Sequence, residues 1–206
     1  MEIIKIYELN DDKRKEVINN IKKEILRGKI IICGTDTVYG ISANALDENA
    51  VKRVYEIKKR DFNKPMSICL RDINEIEKYA HINDLAKKLF SLLPGPLTIV
   101  LKKKPIIPDI VAKEYIGIRV PDENIMRELC VVPLTTTSAN ISGNEPAYKV
   151  EDIDNEVLEK VDYIIDIGEC KYKKPSTVVR VLDNNIELLR EGAIPFNKIL
   201  KIIKQG

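Results

Sequence analysis

The sequence predicts an α/β protein whose sheet mixes parallel and antiparallel strands, and three observations carry the prediction. Short β-branched runs alternate with segments of helical periodicity along almost the whole chain. Two late runs are joined by a short polar turn of hairpin type, which makes those neighbours antiparallel. A chain of 206 residues with 44% hydrophobic content can bury one real core without dividing, so residues 1–206 are read as a single domain.

The elements follow in order. Asp11 is placed to cap a helix whose Val17, Ile18, Ile21 and Ile25 keep the 3.6-residue period, with Gly28 where a terminating glycine belongs. A strand over Lys29–Cys33 then breaks into the polar loop Gly34–Gly40. Asp47 caps a second helix through Val51, Val54 and Ile57. Met66–Leu70 reads as a strand, and Asp72 and Asn83 read as caps of short helices that stop before Pro94-Gly95-Pro96. Leu97–Leu101, Ile116–Val120 and Val131–Thr135 are predicted strands, with Asp122 capping a helix between the last two. Tyr163–Ile165 and Ser176–Leu182 follow, and Asp183-Asn184-Asn185 turns the latter into Ile186–Arg190. Lys198–Lys204 closes as a helix. Residues 102–115, with four lysines and two prolines, and residues 168–175 read as mobile surface loops able to act as lids.

Composition excludes several function classes. Lys+Arg 34 against Asp+Glu 32 leaves a formal charge of +2, too little to draw the whole molecule to nucleic acid or an anionic membrane, so any anion site must be local. Cys33, Cys69, Cys130 and Cys170 are far apart and His81 is the only histidine, which suits neither a zinc site nor a disulfide framework. A single histidine also disfavours a Ser-His-Asp nucleophile, and the scattered carboxylates lack metal-binding spacing. With no leader and no membrane-length apolar run, a cytoplasmic protein is expected.

Four segments carry candidate chemistry. Thr135-Thr-Thr-Ser138-Ala-Asn140-Ile-Ser142-Gly143 gathers hydroxyls and an amide behind a strand, poor core material but suited to a polar ligand. Lys58-Lys59-Arg60 and Lys64 are either a solvated basic helix end or a short loop that neutralises a polyphosphate. The 34–40 loop supplies hydroxyls between glycines without a P-loop fingerprint, and is as well explained by a turn as by a ligand. Arg119 lies inside an apolar strand, where a cation needs either a structural carboxylate or a ligand's. Arg180 alternates with valines and is expected to face solvent, whereas Arg190 ends its strand within a ligand's reach.

Together these segments resemble the Sua5/YciO/YrdC family. The resemblance rests on Gly34-Thr-Asp-Thr-Val-Tyr-Gly40, Lys58-x-Arg60 with Lys64-Pro-Met66, Pro94-Gly-Pro-Leu-Thr98, Gly117-Ile-Arg-Val-Pro121, Thr137-Ser-Ala-Asn-Ile-Ser-Gly143, Pro175-Ser-Thr-Val178 and Leu189-Arg-Glu-Gly192. It covers roughly residues 15–195, and seven weak motifs in one order make a specific signal. It implies a twisted open sheet with helices on both sides and a concave ligand cavity. It implies also a synthase joining L-threonine, bicarbonate and ATP into threonylcarbamoyl-adenylate and pyrophosphate, for N6-threonylcarbamoyladenosine formation in tRNA.

By motif position, Lys58, Arg60 and Lys64 would hold the ATP phosphates, while Ser138, Asn140 and Arg190 contact the nucleotide. Thr35, Arg119, Thr136 and Ser176 would surround threonine. No residue is assigned as acid, base or nucleophile; catalysis is by positioning, with Lys58 and Arg60 foremost. Mg2+ would arrive with ATP rather than on a protein site, no tightly bound cofactor is expected, and the product would pass to a tRNA threonylcarbamoyl-transfer complex. Two departures stand out. Cys69 occupies a position where many members have histidine, which makes it a further candidate threonine contact. The chain also looks like the short, single-domain form. Two other readings are a noncatalytic RNA-binding module, weakened by near-neutral charge and few aromatics, and a carbamoyl-adenylate enzyme with another substrate.

Overall fold

A computed structural model describes residues 2–183 and 185–204. The chain runs β1 (Glu2–Lys5), α1 (Asp11–Leu26), β2 (Ile31–Cys33), β3 (Gly40–Ser42), α2 (Glu48–Lys58), β4 (Ser67–Cys69), α3 (Ile76–Tyr79) and α4 (Asp84–Leu89). It continues β5 (Leu97–Lys102), β6 (Tyr115–Arg119), α5 (Asn124–Leu129), β7 (Leu134–Ser138), α6 (Asn155–Leu158), β8 (Tyr163–Asp166), β9 (Thr177–Val181), β10 (Ile186–Arg190) and α7 (Phe196–Lys204). The strands form one sheet in the order β1-β8-β2-β3-β7-β4-β6-β5-β9-β10. Pairs β1/β8, β2/β8, β4/β6 and β5/β9 are parallel, and β2/β3, β3/β7, β4/β7, β5/β6 and β9/β10 antiparallel, which is the mixed sheet expected.

Period-two alternation sorts every strand onto two faces. Ile32, Ile41, Ile68, Ile99, Ile118, Ile164 and Val179 point to one face, where they pack with Val51 and Val54 of α2, Leu89 of α4 and Ile199 of α7. The opposite face is covered over only part of its width. There Ile31, Cys33, Cys69, Leu134 and Ile165 meet Ile18, Ile21 and Ile25 of α1 and Met126 and Leu129 of α5. Beyond those two helices the same face carries Ser67, Thr98, Thr136 and Val178, and these line a cavity instead of a core.

Several local expectations shift for identifiable reasons. The cap of α1 is Asn10, whose side chain accepts from Lys13 N at 2.9 Å, and Asp11 is the first helical residue. Glu123, not Asp122, caps α5 by accepting from Ile125 N at 3.0 Å. The strand expected at Val131–Thr135 begins three residues later, because Ala45 N bonds Pro133 O and only from Leu134 does the chain pair with β3 and β4. Strands β1 and β3 were not expected. The turn between β9 and β10 includes Asn184, which lies outside the described residues; Leu182 N donates to Asn185 O at 2.8 Å across it.

Residues 102–115 are pinned rather than free-standing. Ile107 and Val111 are fully buried, Met66 N donates to Val111 O at 2.9 Å, and the Tyr55 hydroxyl donates to Ile110 O at 3.1 Å. In the 168–175 segment, Cys170 N donates to Tyr148 O and Tyr172 N to Asp36 O, each at 2.9 Å. No helix among the described residues is long and apolar enough to cross a membrane.

Candidate active site

The cavity occupies about 420 Å³ on the sheet face that α1 and α5 leave bare. Its floor is made by adjacent strands: Thr136 stands opposite Ser67 in the β4/β7 register, and Gly117 lies beside Ser67. A Cβ on Gly117 would fall 2.4 Å from Ser67 Oγ and 3.1 Å from Thr98 Cγ2, so only glycine lets those side chains close over β6.

One end is built around Arg119, which is 5% exposed at the end of β6. Its Nη2 pairs with the carboxylate of Asp36, and Nη1 donates to Thr37 Oγ1 at 2.7 Å and lies 3.5 Å from Thr35 Oγ1. Arg119 is thus held by a structural carboxylate and also lines the cavity, so the two sequence alternatives are compatible. Burial pushes the Asp36 carboxyl up, and Arg119 beside it opposes the rise. The 34–40 loop is shaped by Thr35, whose Oγ1 donates to Val38 O at 2.7 Å and accepts from Thr37 N at 3.1 Å and Val38 N at 3.2 Å. Farther along, the Tyr39 hydroxyl sits 3.0 Å from Asp166 Oδ1 and 2.7 Å from Gly168 O, tying the loop to the end of β8.

The other end is built around Lys58, the last residue of α2, which is 1% exposed. Its Nζ donates to Ser138 O and, at 2.6 Å, to Asn140 O. Burial, with the charge of Arg60 adding to it, pulls the Lys58 ammonium down to about 7. Ser142 N donates to Lys58 O at 3.0 Å, and Asn140 Nδ2 donates to Ile141 O and Asn144 O at 2.8 and 2.7 Å, so the 138–144 turn is closed on itself. Asn140 Oδ1 is buried and has no hydrogen-bond partner among the described residues.

Arg60 closes the basic loop by donating from Nε to Lys64 O at 3.2 Å and from Nη2 to Pro65 O at 2.9 Å. Phe62 stacks on Tyr55 with centroids 4.8 Å apart. At the mouth, Arg190 donates to Ser176 O from Nε at 3.2 Å and Nη2 at 3.0 Å, and Ser176 Oγ lies 2.8 Å from Thr98 Oγ1.

Ten of the proposed contacts therefore share one cavity: Thr35, Lys58, Arg60, Lys64, Arg119, Thr136, Ser138, Asn140, Ser176 and Arg190. The structure places Cys69 elsewhere. It is fully buried among Ile31, Leu134 and Met126 under α1 and α5, and burial pushes its thiol up. Ser67, two residues back on the same strand face, reaches the cavity instead. Thr37, one of the hydroxyls of the 34–40 loop, also lines the cavity. Sequence reasoning missed Thr98 and the Asp36 partner of Arg119, although a lone hydroxyl in the apolar run Leu97–Lys102 was a readable sign of a bare face. Arg180 is half-buried, pairs with Glu187 at 3.3 Å and lies over the Tyr115 ring. The lining carries five cationic side chains and, among the described residues, no carboxylate, in a chain whose net charge is only +2. That is a local anion trap with a hydroxyl-lined floor.

Comparison with known proteins gives a consistent pattern. The family model Sua5_yciO_yrdC, described as "Telomere recombination", matches residues 23–192. A Methanocaldococcus jannaschii protein with the provisional name threonylcarbamoyl-AMP synthase is 68% identical over 200 residues, 97% of each chain. A Pyrococcus abyssi threonylcarbamoyl-AMP synthase is 35% identical over 189 residues, covering 87% of this chain and 55% of its own, so here the match spans about half of a longer relative. Among solved structures, P. abyssi Sua5 complexed with L-threonine superposes with a TM-score of 0.87 at 33% identity, covering 98% of this chain and 60% of that one.

Proposed function

The chain belongs to the Sua5/YciO/YrdC family, and on that premise we propose that it is an L-threonylcarbamoyladenylate synthase, a nucleotidyltransferase that condenses L-threonine, bicarbonate and ATP. The observation that carries the reading is the division of one cavity into two chemistries. A cationic rim of Lys58, Arg60 and Lys64 beside the Ser138–Asn140 turn suits a triphosphate, and a hydroxyl floor with Arg119 suits a small hydroxylated amino acid.

In this reading, threonine nitrogen and bicarbonate form a carbamate with loss of water. A carbamate oxygen attacks the α-phosphorus, the bond to the bridging oxygen breaks, and pyrophosphate leaves with the electron pair. Lys58, Arg60 and Lys64 hold the phosphates, Ser138, Asn140 and Arg190 the nucleotide, and Thr35, Arg119, Thr136 and Ser176 the threonine. Because the described lining offers cations, hydroxyls and two side-chain amides but no carboxylate, Mg2+ would be carried by the triphosphate, where it would neutralise charge. The protein's own part is orientation and electrostatic stabilisation. A mixed carbamic-phosphoric anhydride is prone to hydrolysis, so the acceptor reaction, transfer to tRNA by a separate complex in the cytoplasm, must follow closely.

Pyrophosphate release measured with Mg-ATP, bicarbonate and each candidate amino acid tests the reading. Release is expected to require both threonine and bicarbonate. Release that ignores threonine overturns it and favours a carbamoyl-adenylate enzyme with another substrate. Salt-dependent RNA affinity without turnover would favour the binding module.

A further inference from the structure

Helix α6 begins after Asp154, a residue type that at this position normally turns its side chain onto the free amides of its own helix. The Asp154 carbonyl does accept from Val157 N and Leu158 N, at 2.9 and 3.1 Å, but its carboxylate makes no capping bond. Instead Oδ2 reaches across to the 140–144 turn, where it accepts from Ile141 N and from Asn144 Nδ2, each at 3.1 Å. A capping carboxylate has been diverted to a loop in the cavity wall.

That loop is gripped from both sides by matched polarity. Lys58 takes the carbonyls of Ser138 and Asn140, and Asp154 takes the amide of Ile141 and the side-chain amide of Asn144. Asp154 itself is not among the cavity-lining residues, whereas Ser138, Asn140, Ser142 and Asn144 are. Removing the carboxylate would leave the turn held by Lys58, the bonds of Asn140 and the backbone bond from Asn144 N to Ile141 O, with no side chain from α6 fixing its position.

We propose that Asp154 is a positioning residue for nucleotide binding, holding the 140–144 turn so that Ser138 and Asn140 meet the nucleotide. The inference rests on the reading of this end of the cavity as the ATP site. Asp154 acts at that site through the turn: its charge also favours the nearby Lys58 ammonium, but its hydrogen-bond acceptance is what fixes the position of the turn.

The test uses the full chain, Mg-ATP titrated calorimetrically, and separate KM values for ATP and threonine from pyrophosphate release. Asp154→Ser supplies a hydroxyl that can cap α6 yet is too short to reach the turn. It is expected to keep the wild-type melting temperature and to weaken ATP binding about tenfold, with threonine KM within about twofold. In Asp154→Asn the amide oxygen can accept the same two hydrogens, and affinity should return to within about threefold of wild type. Glu156→Ala, also on α6 but paired with Lys59 and Lys160 on the surface, should leave ATP binding unchanged. The proposal is overturned if Asp154→Ser binds ATP like wild type, if it raises both KM values equally, or if Asp154→Asn is as weak as Asp154→Ser. A wild-type chain that binds no ATP overturns it together with the nucleotide assignment. A chain that binds ATP but releases no pyrophosphate overturns the proposed reaction alone, and the binding measurement still decides Asp154.

Discussion

The two ends of the cavity each bury one cation, and they compensate it in opposite ways. Arg119 meets a full carboxylate on Asp36 and a hydroxyl on Thr37, so its charge is largely cancelled and its guanidinium plane is fixed. Among the described residues Lys58 hydrogen-bonds only the carbonyl oxygens of Ser138 and Asn140, so it keeps a net charge that burial and Arg60 disfavour and the more remote charge of Asp154 only partly offsets. The difference teaches that the Arg119 end is a rigid, pre-paired recognition surface, whereas the Lys58 end is a turn whose shape depends on one proton.

The largest effect that would break this comparison is expected at Arg119. Arg119→Ala leaves the Asp36 carboxylate buried without its counter-charge and should cost about 3–5 kcal/mol of folding stability, measured by urea denaturation. Removing both charges in Arg119→Met with Asp36→Leu should recover most of that stability without recovering threonine use. A loss below about 1 kcal/mol in the single variant would mean that the pair is not the organising contact of this end.

A smaller effect sharpens the Lys58 side. Its folded pKa, about 7, lies below the ordinary lysine value of 10.5, so between those values the unfolded chain binds more protons at this site. Its contribution to stability should therefore rise as pH climbs from 7 towards 10. Nucleotide affinity should move the other way, falling over pH 7–9 as the ammonium that holds the turn is lost. Denaturation midpoints and ATP titrations across that range should show opposite slopes, and Lys58→Met should flatten both. Parallel slopes would count against the turn-holding role of the ammonium.

The smallest effect belongs to Cys69. Because it packs under α1 and α5 rather than in the cavity, Cys69→Ala should lower stability by about 1 kcal/mol and leave threonine KM within about twofold. A selective rise in threonine KM would return Cys69 to the site.

Most of the fold was legible where periodicity and caps agree, as in α2, with Asp47 accepting from Asn49 N and Ala50 N and Val51 and Val54 buried behind it. Strands β1 and β3 were not, because Glu2–Lys5 pairs only at a sheet edge and Gly40–Ser42 is too short to show alternation; both exist through their registers with β8, β2 and β7. The hydroxyl run at 135–138 was read as lying behind a strand, since serine and threonine also mark turns. It is the strand itself, with Thr136 turned to the cavity and Thr135 donating towards and accepting from the backbone of Ala43.

By itself the sequence determined the alternation of helices and strands, the cationic and hydroxyl motifs, and their order, because periodicity, capping and residue chemistry are local properties. Only the tertiary structure decided which strand face α1 and α5 leave bare, that Asp36 is the partner of Arg119, and that Asp154 turns from its own helix to the 140–144 turn. Asp36 and Arg119 lie 83 positions apart and meet through strand order and register, which the packing of the whole sheet sets, while Asp154 reaches back only 13 positions to Ile141 but across to another element.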